Sequence, residues 1–228
     1  MDKNKNKKIL YWLFDILINI AIIFGLVIII QTWVIAPFDV SGGSMCDTLN
    51  NIDDKCVGGY GEKIIINEIL YSFSKPKRGD IVVFNVAEKN EENLYYIKRV
   101  IGEPGDTIKI ENGNVYLKTE NSEEFIELQE DYLNETNKGN TEIYYDRNEF
   151  LVPEDKYFVL GDNRNASTDS RACFLHSLSK ICEENPDKAF VESEKIKGKA
   201  TIVWWPLKQF HILKNIDYTE LEIQKTTP

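Results

Sequence analysis

The chain has 228 residues, 43% hydrophobic and 28% charged, and its 27 basic and 37 acidic side chains leave a formal net charge of −10. This is the composition of an ordered globular protein, with room for one core plus an anchor or small subdomain. The acidic excess excludes a nucleic-acid binder, whose phosphate partners demand a concentrated basic surface.

The first element in the chain is an apolar run. No residue from Ile16 to Phe38 carries a charge. A helix rises about 1.5 Å per residue, so roughly 20 such residues cross the hydrocarbon layer of a bilayer. Lys3, Lys5, Lys7 and Lys8 precede the run, and by the positive-inside rule they hold the N-terminus in the cytoplasm. Trp12 and Trp33 lie toward its two ends, as interfacial aromatics do. A cleaved secretory leader is the competing interpretation. It needs a small-x-small site, and Ile35-Ala36-Pro37 is a poor one because proline fixes the backbone just beyond the cut. The expected organisation is a short cytoplasmic N-terminus at 1–15, an uncleaved anchor in the lipid bilayer at 16–37, and an extracytoplasmic domain at 38–228. Residues 1–38 hold four lysines against Asp2 and Asp15, or +2, which leaves −12 for the exported part. Such a domain does not adhere to anionic lipid by charge.

Beyond the anchor the pattern is one of short strands. Residues 81–84, 95–97, 107–110, 115–117, 157–160 and 200–205 are rich in β-branched and aromatic side chains. Turn signals separate them at Arg78-Gly79-Asp80, Glu103-Pro104-Gly105-Asp106, Asn112-Gly113-Asn114 and Gly161-Asp162-Asn163. The expected fold class is mostly β, an antiparallel coiled-sheet or barrel-like domain behind one transmembrane helix. A peripheral elaboration is expected at about 111–152, where the stretch from Glu120 to Asn148 is polar and acidic.

The chemistry is narrowed by elimination. Only His176 and His211 exist, neither in a catalytic context, so a serine-histidine pair is unsupported. No pair of histidines has metal-ligand spacing and no glycine-rich phosphate loop occurs, so neither metal nor cofactor is expected. A hydrolase built on this chain needs another base. Four segments supply the candidates: Val40-Ser41-Gly42-Gly43-Ser44-Met45-Cys46-Asp47-Thr48-Leu49, Lys77 to Phe84, Tyr95 to Asp106, and Gly161 to Arg171. In this order, behind an anchor, they resemble the four boxes of the bacterial type I signal peptidases, which are serine-lysine proteases.

The resemblance implies that Ser44 is the nucleophile and Lys98 the general base, acting on exported preproteins at their signal peptides. A lysine with a reference pKa near 10.4 is a base at neutral pH only when burial disfavours its charged form. Tyr95, Tyr96 and Ile97 on one side and Val100 and Ile101 on the other give Lys98 such a setting. By the same resemblance Ser167 orients the lysine amine, and Arg99 with Asp162 and Asp169 with Arg171 form bracing ion pairs. Phe38, Val40, Met45, Val83, Tyr96 and Ile97 belong to pockets that admit small substrate side chains. Some family members place an oxyanion-binding serine two positions before the nucleophile; here that position is Gly42, which is the Gram-positive-like pattern. A catalytically inactive scaffold of the same fold would lack Ser44 or Lys98, and both are present.

Two departures from the family pattern stand out. Asp47 occupies the place of a usual proline, and an extended stretch containing Cys173 and Cys182 follows Arg171. With Cys46 and Cys56 the cysteines number four and allow three connectivities, of which local pairing is the simplest. A Cys46–Cys56 bridge would replace the turn-fixing role of the missing proline. Cys46 as a nucleophile has no histidine to serve it.

Overall fold

The computed structural model describes residues 3–33, 35–86, 94–144, 146–175, 181–216 and 218. His176 lies outside them. Helix α1 runs over Lys3–Trp33, and its stretch Tyr11–Ile28 is long and apolar enough to cross a membrane. Most of its apolar side chains, among them Trp12, Leu17, Ile22, Phe24 and Leu26, are exposed. The helix starts earlier and stops sooner than the apolar run suggests. Residues 35–37, expected in the anchor, instead open strand β1 (Ile35–Ser41). Pro37 explains the change, since it disfavours helical geometry at Ala36 and cannot donate a helical hydrogen bond itself.

The remaining strands are β2 (Asn51–Ile52), β3 (Lys55–Cys56), β4 (Tyr60–Asn67), β5 (Ile81–Asn85), β6 (Tyr95–Gly102), β7 (Thr107–Glu111), β8 (Asn114–Lys118), β9 (Ile126–Glu127), β10 (Glu149–Leu151), β11 (Lys156–Leu160), β12 (Val191–Glu192), β13 (Ile196–Trp205) and β14 (His211–Ile212). The large sheet has the order β1-β4-β13-β5-β6-β11-β12, with β14 paired to β13, and its pairings among the described residues are antiparallel. A second antiparallel sheet has the order β10-β7-β8-β9. The mostly β class read from the sequence is the class observed.

Burial follows the strand period. Along β4 the side chains of Glu62, Ile64 and Ile66 are buried while their neighbours are only partly so. In β5 and the second half of β6 both faces are covered, so Ile81 to Phe84 and Val100 to Ile101 are all buried. One core cluster lies among β1, β4, β5 and β13 and contains Val40, Leu49, Ile64, Val83 and Val203. A second joins Ile101, Phe158 and Leu160 of the large sheet to Ile108, Val115, Leu117 and Phe150 of the small one. Residues 111–152 are therefore less peripheral than their polar sequence suggests. Val115, Leu117, Leu128, Phe150 and Val152 belong to this second core, and the polar members of the stretch include the buried Glu130, Asn137 and Thr141.

All four cysteines are paired, Cys46 with Cys56 and Cys173 with Cys182. Each bridge closes a short loop and restricts the unfolded chain. Replacing Cys46 and Cys56 by serine is expected to lower stability by about 2–3 kcal/mol. A thermal unfolding series reads this loss, and mass spectrometric thiol counting without reductant finds no free thiol. Four free thiols would remove both bridges from the account.

Candidate active site

The site forms where three backbone segments meet. Edge strand β1 has an irregular register between Asp39 and Ser41 and then enters the turn that carries Ser44. Gly42 takes φ of +85°, a conformation that side chains other than glycine's resist. Strand β6 brings Lys98 from the sheet interior, where it pairs with Val82 of β5. The loop after β11 brings residues 161–171.

Ser44 Oγ and Lys98 Nζ stand 2.6 Å apart. Lys98 is 4% exposed; its Nζ donates to the Ile97 carbonyl at 2.9 Å and lies 5.4 Å from the centre of the Tyr96 ring. Burial pushes the amine down to about 8, although the carboxylates of Asp169 and Asp162 act in the opposite direction. A substantial neutral fraction is thus present near physiological pH. An amine in that state, within hydrogen-bond reach of a hydroxyl, can accept its proton.

The 161–171 loop is locked against the turn that carries Ser44. Asn163 donates from its backbone to the Ser44 carbonyl at 3.0 Å and from its side chain to the Gly43 carbonyl at 2.9 Å. A Cβ on Gly161 would stand 2.5 Å from the Ser44 carbonyl oxygen and 2.1 Å from Ser167 Oγ, so only glycine fits this approach. Arg99 and Asp162 form a two-pronged ion pair at 2.9 and 2.6 Å, with Arg99 1% and Asp162 0% exposed. Arg99 also donates to the Gly79 carbonyl and lies over the Tyr132 ring, while Thr48 donates to Asp162 at 2.5 Å. Asp169 and Arg171 pair through two contacts of 2.9 Å. Burial alone would raise the Asp169 carboxyl, but the adjoining Arg171 guanidinium and the Gly161 amide hold it below its ordinary value.

Two residues are placed differently from expectation. Ser167 is buried beside Gly161 and close enough to Asp169 to favour its ionised form, yet its hydroxyl has no hydrogen-bond partner in good geometry among the described residues. The Lys98 amine is instead held by Ser44 and its own strand's carbonyl. Met45 does not face the cleft. The turn directs it inward, where it is 1% exposed, packs with Val40 and Leu49, and places its sulfur 3.4 Å from the Asp162 amide.

The other expected pocket residues do come together. Phe38, Val40, Val83, Tyr96 and Ile97 line a cleft of about 630 Å³ whose wall also includes Ser44 and Lys98. Tyr60, Leu94, Ala166 and Thr168 also line it; Ala166 and Thr168 belong to the fourth of the segments singled out above, while nothing in the sequence context of Tyr60 and Leu94 sets them apart. Sequence reading also missed the buried pair of Arg164 and Glu130, because Glu130 belongs to the polar stretch far from the four boxes. Asp47 is held by Asn134 and Asn137 of the same stretch; burial raises its carboxyl above the ordinary value despite these bonds.

Comparison with known proteins fits this picture. Residues 13–205 match the family model described as signal peptidase, peptidase S26. Signal peptidase I P of Bacillus subtilis subsp. natto is 38% identical over 176 residues, covering 75% of this chain and 83% of that one. Signal peptidase IB of Staphylococcus aureus strain MRSA252 is 30% identical over 220 residues, or 94% and 98% of the two chains. A solved signal peptidase I from Enterococcus faecalis V583 is 29% identical and covers 55% of this chain and 97% of that one, at a TM-score of 0.36. The family match and the two curated relatives carry the assignment. The chain is a membrane-associated peptidase of the class that processes signal peptides. It belongs to the signal peptidase family, peptidase S26.

Proposed function

We propose that Ser44 attacks the scissile carbonyl and that neutral Lys98 takes its proton. The observation that carries this reading is the 2.6 Å approach of Ser44 Oγ to a buried lysine amine held down to about 8. The backbone N–H of Ser44 stabilises the developing oxyanion, with no side-chain donor from Gly42. The lysine, now protonated, donates to the leaving amine. The same lysine then activates the water that releases the acyl group from Ser44.

The substrates are exported preproteins whose signal peptides share the membrane with α1. The N-terminus is cytoplasmic and the catalytic domain is outside. An extended substrate segment lies along edge strand β1, with alternate side chains toward the cleft. Phe38, Val40, Val83, Tyr96 and Ile97 narrow that cleft to small side chains such as alanine. Ser167, with Asp169 beside it, sets the position of the lysine indirectly. The buried Arg99–Asp162 and Asp169–Arg171 pairs keep the three segments in register.

The test is cleavage of a model preprotein by the full chain in detergent, followed across pH. A single cut after a small-x-small site is expected. The acid limb of kcat/KM is expected near pH 8, with activity rising as the amine loses its proton. Cleavage elsewhere, or a limb near pH 6 typical of a histidine, would reject the serine-lysine reading.

A further inference from the structure

Every residue from Gly43 to Thr48 is tethered. Gly43 and Ser44 are held through their carbonyls by Asn163, and Met45 packs its sulfur against the Asp162 amide. Cys46 is bridged to Cys56, and Thr48 is bonded to Asp162. At Asp47 the tether comes from another part of the molecule, the loop between β9 and β10. Asn134 donates to Asp47 from its backbone at 2.8 Å and from its side chain at 2.7 Å, and Asn137 donates to both carboxylate oxygens at 3.1 Å.

Those donors are themselves fixed. The Asn134 carbonyl oxygen accepts from the Thr136 backbone and hydroxyl, which leaves its amide to point at Asp47. Asn137 is buried, and its carbonyl oxygen accepts from the Asn165 amide at 3.3 Å. Upstream in the same loop, Glu130 pairs with the buried Arg164. The loop thus grips the 161–171 segment at Arg164 and Asn165 and the nucleophile turn at Asp47. Both are neighbours of Ser44.

We infer that Asp47 is a positioning residue, a carboxylate latch that ties the Ser44 turn to the 134–137 loop and does the work of a rigid residue at this place. The inference rests on Ser44 being the nucleophile. The backbone bonds of the turn, from Cys46 to the Gly43 carbonyl and from Thr48 and Leu49 to the Met45 carbonyl, leave the Asp47 amide out. Asp47 has no positive φ. A proline here therefore loses no turn hydrogen bond, and its ring restricts the backbone without help from the loop. Carboxylate-to-loop and ring are two solutions to one mechanical problem. A displacement of about 1 Å in a reacting group lowers turnover by up to about a hundredfold, so a loosened turn is visible in kcat.

The experiment measures kcat and KM for model preprotein cleavage by the full chain in detergent. The variants are Asp47→Ala, Asp47→Asn, Asp47→Pro and Asn134→Ala/Asn137→Ala, the last made in both the wild-type and the Asp47→Pro backgrounds. Asp47→Ala and the double asparagine variant are expected to lower kcat by about ten- to a hundredfold with KM within about twofold. Asp47→Asn keeps the size but turns an amide toward the loop's donors, and falls with them. Asp47→Pro retains kcat within about threefold, and in that background the asparagine substitutions have no further effect. The latch is overturned if Asp47→Ala and Asp47→Asn leave kcat unchanged, or if Asp47→Pro falls as far as Asp47→Ala. It is also overturned if the asparagine substitutions act equally in both backgrounds, or if kcat tracks the melting temperature of the variants alone. Ser44→Ala serves as the separate control: its activity would overturn the nucleophile assignment, whereas an inactive Ser44→Ala beside a fully active Asp47→Ala would overturn only the latch.

Discussion

Lys98→Met is expected to reduce cleavage of a model preprotein by about a thousandfold or more while making the folded chain more stable. The loss arises because Ser44 then has no group within reach to take its proton. The gain arises because the lysine opposes folding. Its amine titrates at about 8 in the folded chain against 10.5 for the free side chain. Below pH 8 both states are protonated, and bringing the ammonium into the site costs about 3 kcal/mol. Between pH 8 and 10.5 the unfolded chain binds more protons than the folded one, so stability rises with pH and the penalty fades. Methionine fills a similar volume without a charge. Thermal unfolding at several pH values checks both parts. Wild type gains stability across this interval, the methionine variant starts higher and lacks that gain, and Ser44→Ala loses activity without changing the slope. A methionine variant that is less stable at pH 7 would mean the lysine is better solvated than its burial indicates.

This trade of stability for chemistry explains why the site was legible in the sequence while parts of its support were not. Strands β7 and β8 were readable because Ile108 and Ile110, or Val115 and Leu117, repeat every second residue, and that period survives without knowledge of partners, whereas β1 and β4 were not among the strands expected. Ser44 and Lys98 were singled out by the resemblance of four segments, in order behind an anchor, to the boxes of a known family; a glycine-serine turn or a lysine among apolar residues would not have marked them alone. Met45 packs beside the cleft and not in it, because a place in a family motif says nothing of a side chain's direction within a turn. Its side chain points to the core while Ser44 points to the cleft. The resemblance makes Ser167 orient the Lys98 amine, but in this structure the amine is engaged by Ser44 and the Ile97 carbonyl. The contribution of residues 130–141 was hidden for another reason. Glu130 and Asn137 look like solvated polar residues until Arg164 and Asp47, distant in the chain, are brought against them. Polar residues that become buried through long-range pairing have no periodic signature.

The Arg99–Asp162 pair makes the same distinction testable in energy. With Arg99 1% and Asp162 0% exposed, removing one partner leaves an uncompensated charge in the core. Asp162→Ala is expected to lower stability by about 3–5 kcal/mol, whereas Arg99→Met combined with Asp162→Leu recovers most of that loss, because apolar pairs of similar volume avoid the desolvation penalty. Activity is expected to behave differently from stability. Thr48 loses its acceptor on Asp162 in both variants, so the turn that carries Ser44 loses a tether and kcat falls even where the fold recovers. Removing the Asp162 carboxylate also removes one of the charges that favour protonated Lys98. In Asp162→Ala, where Arg99 keeps its charge, the acid limb of kcat/KM therefore moves below pH 8. Recovery of full kcat together with stability would show that the pair braces the fold alone. An unchanged limb would mean that the Asp162 charge does not reach the lysine, leaving Asp169 as the carboxylate that opposes the effect of burial.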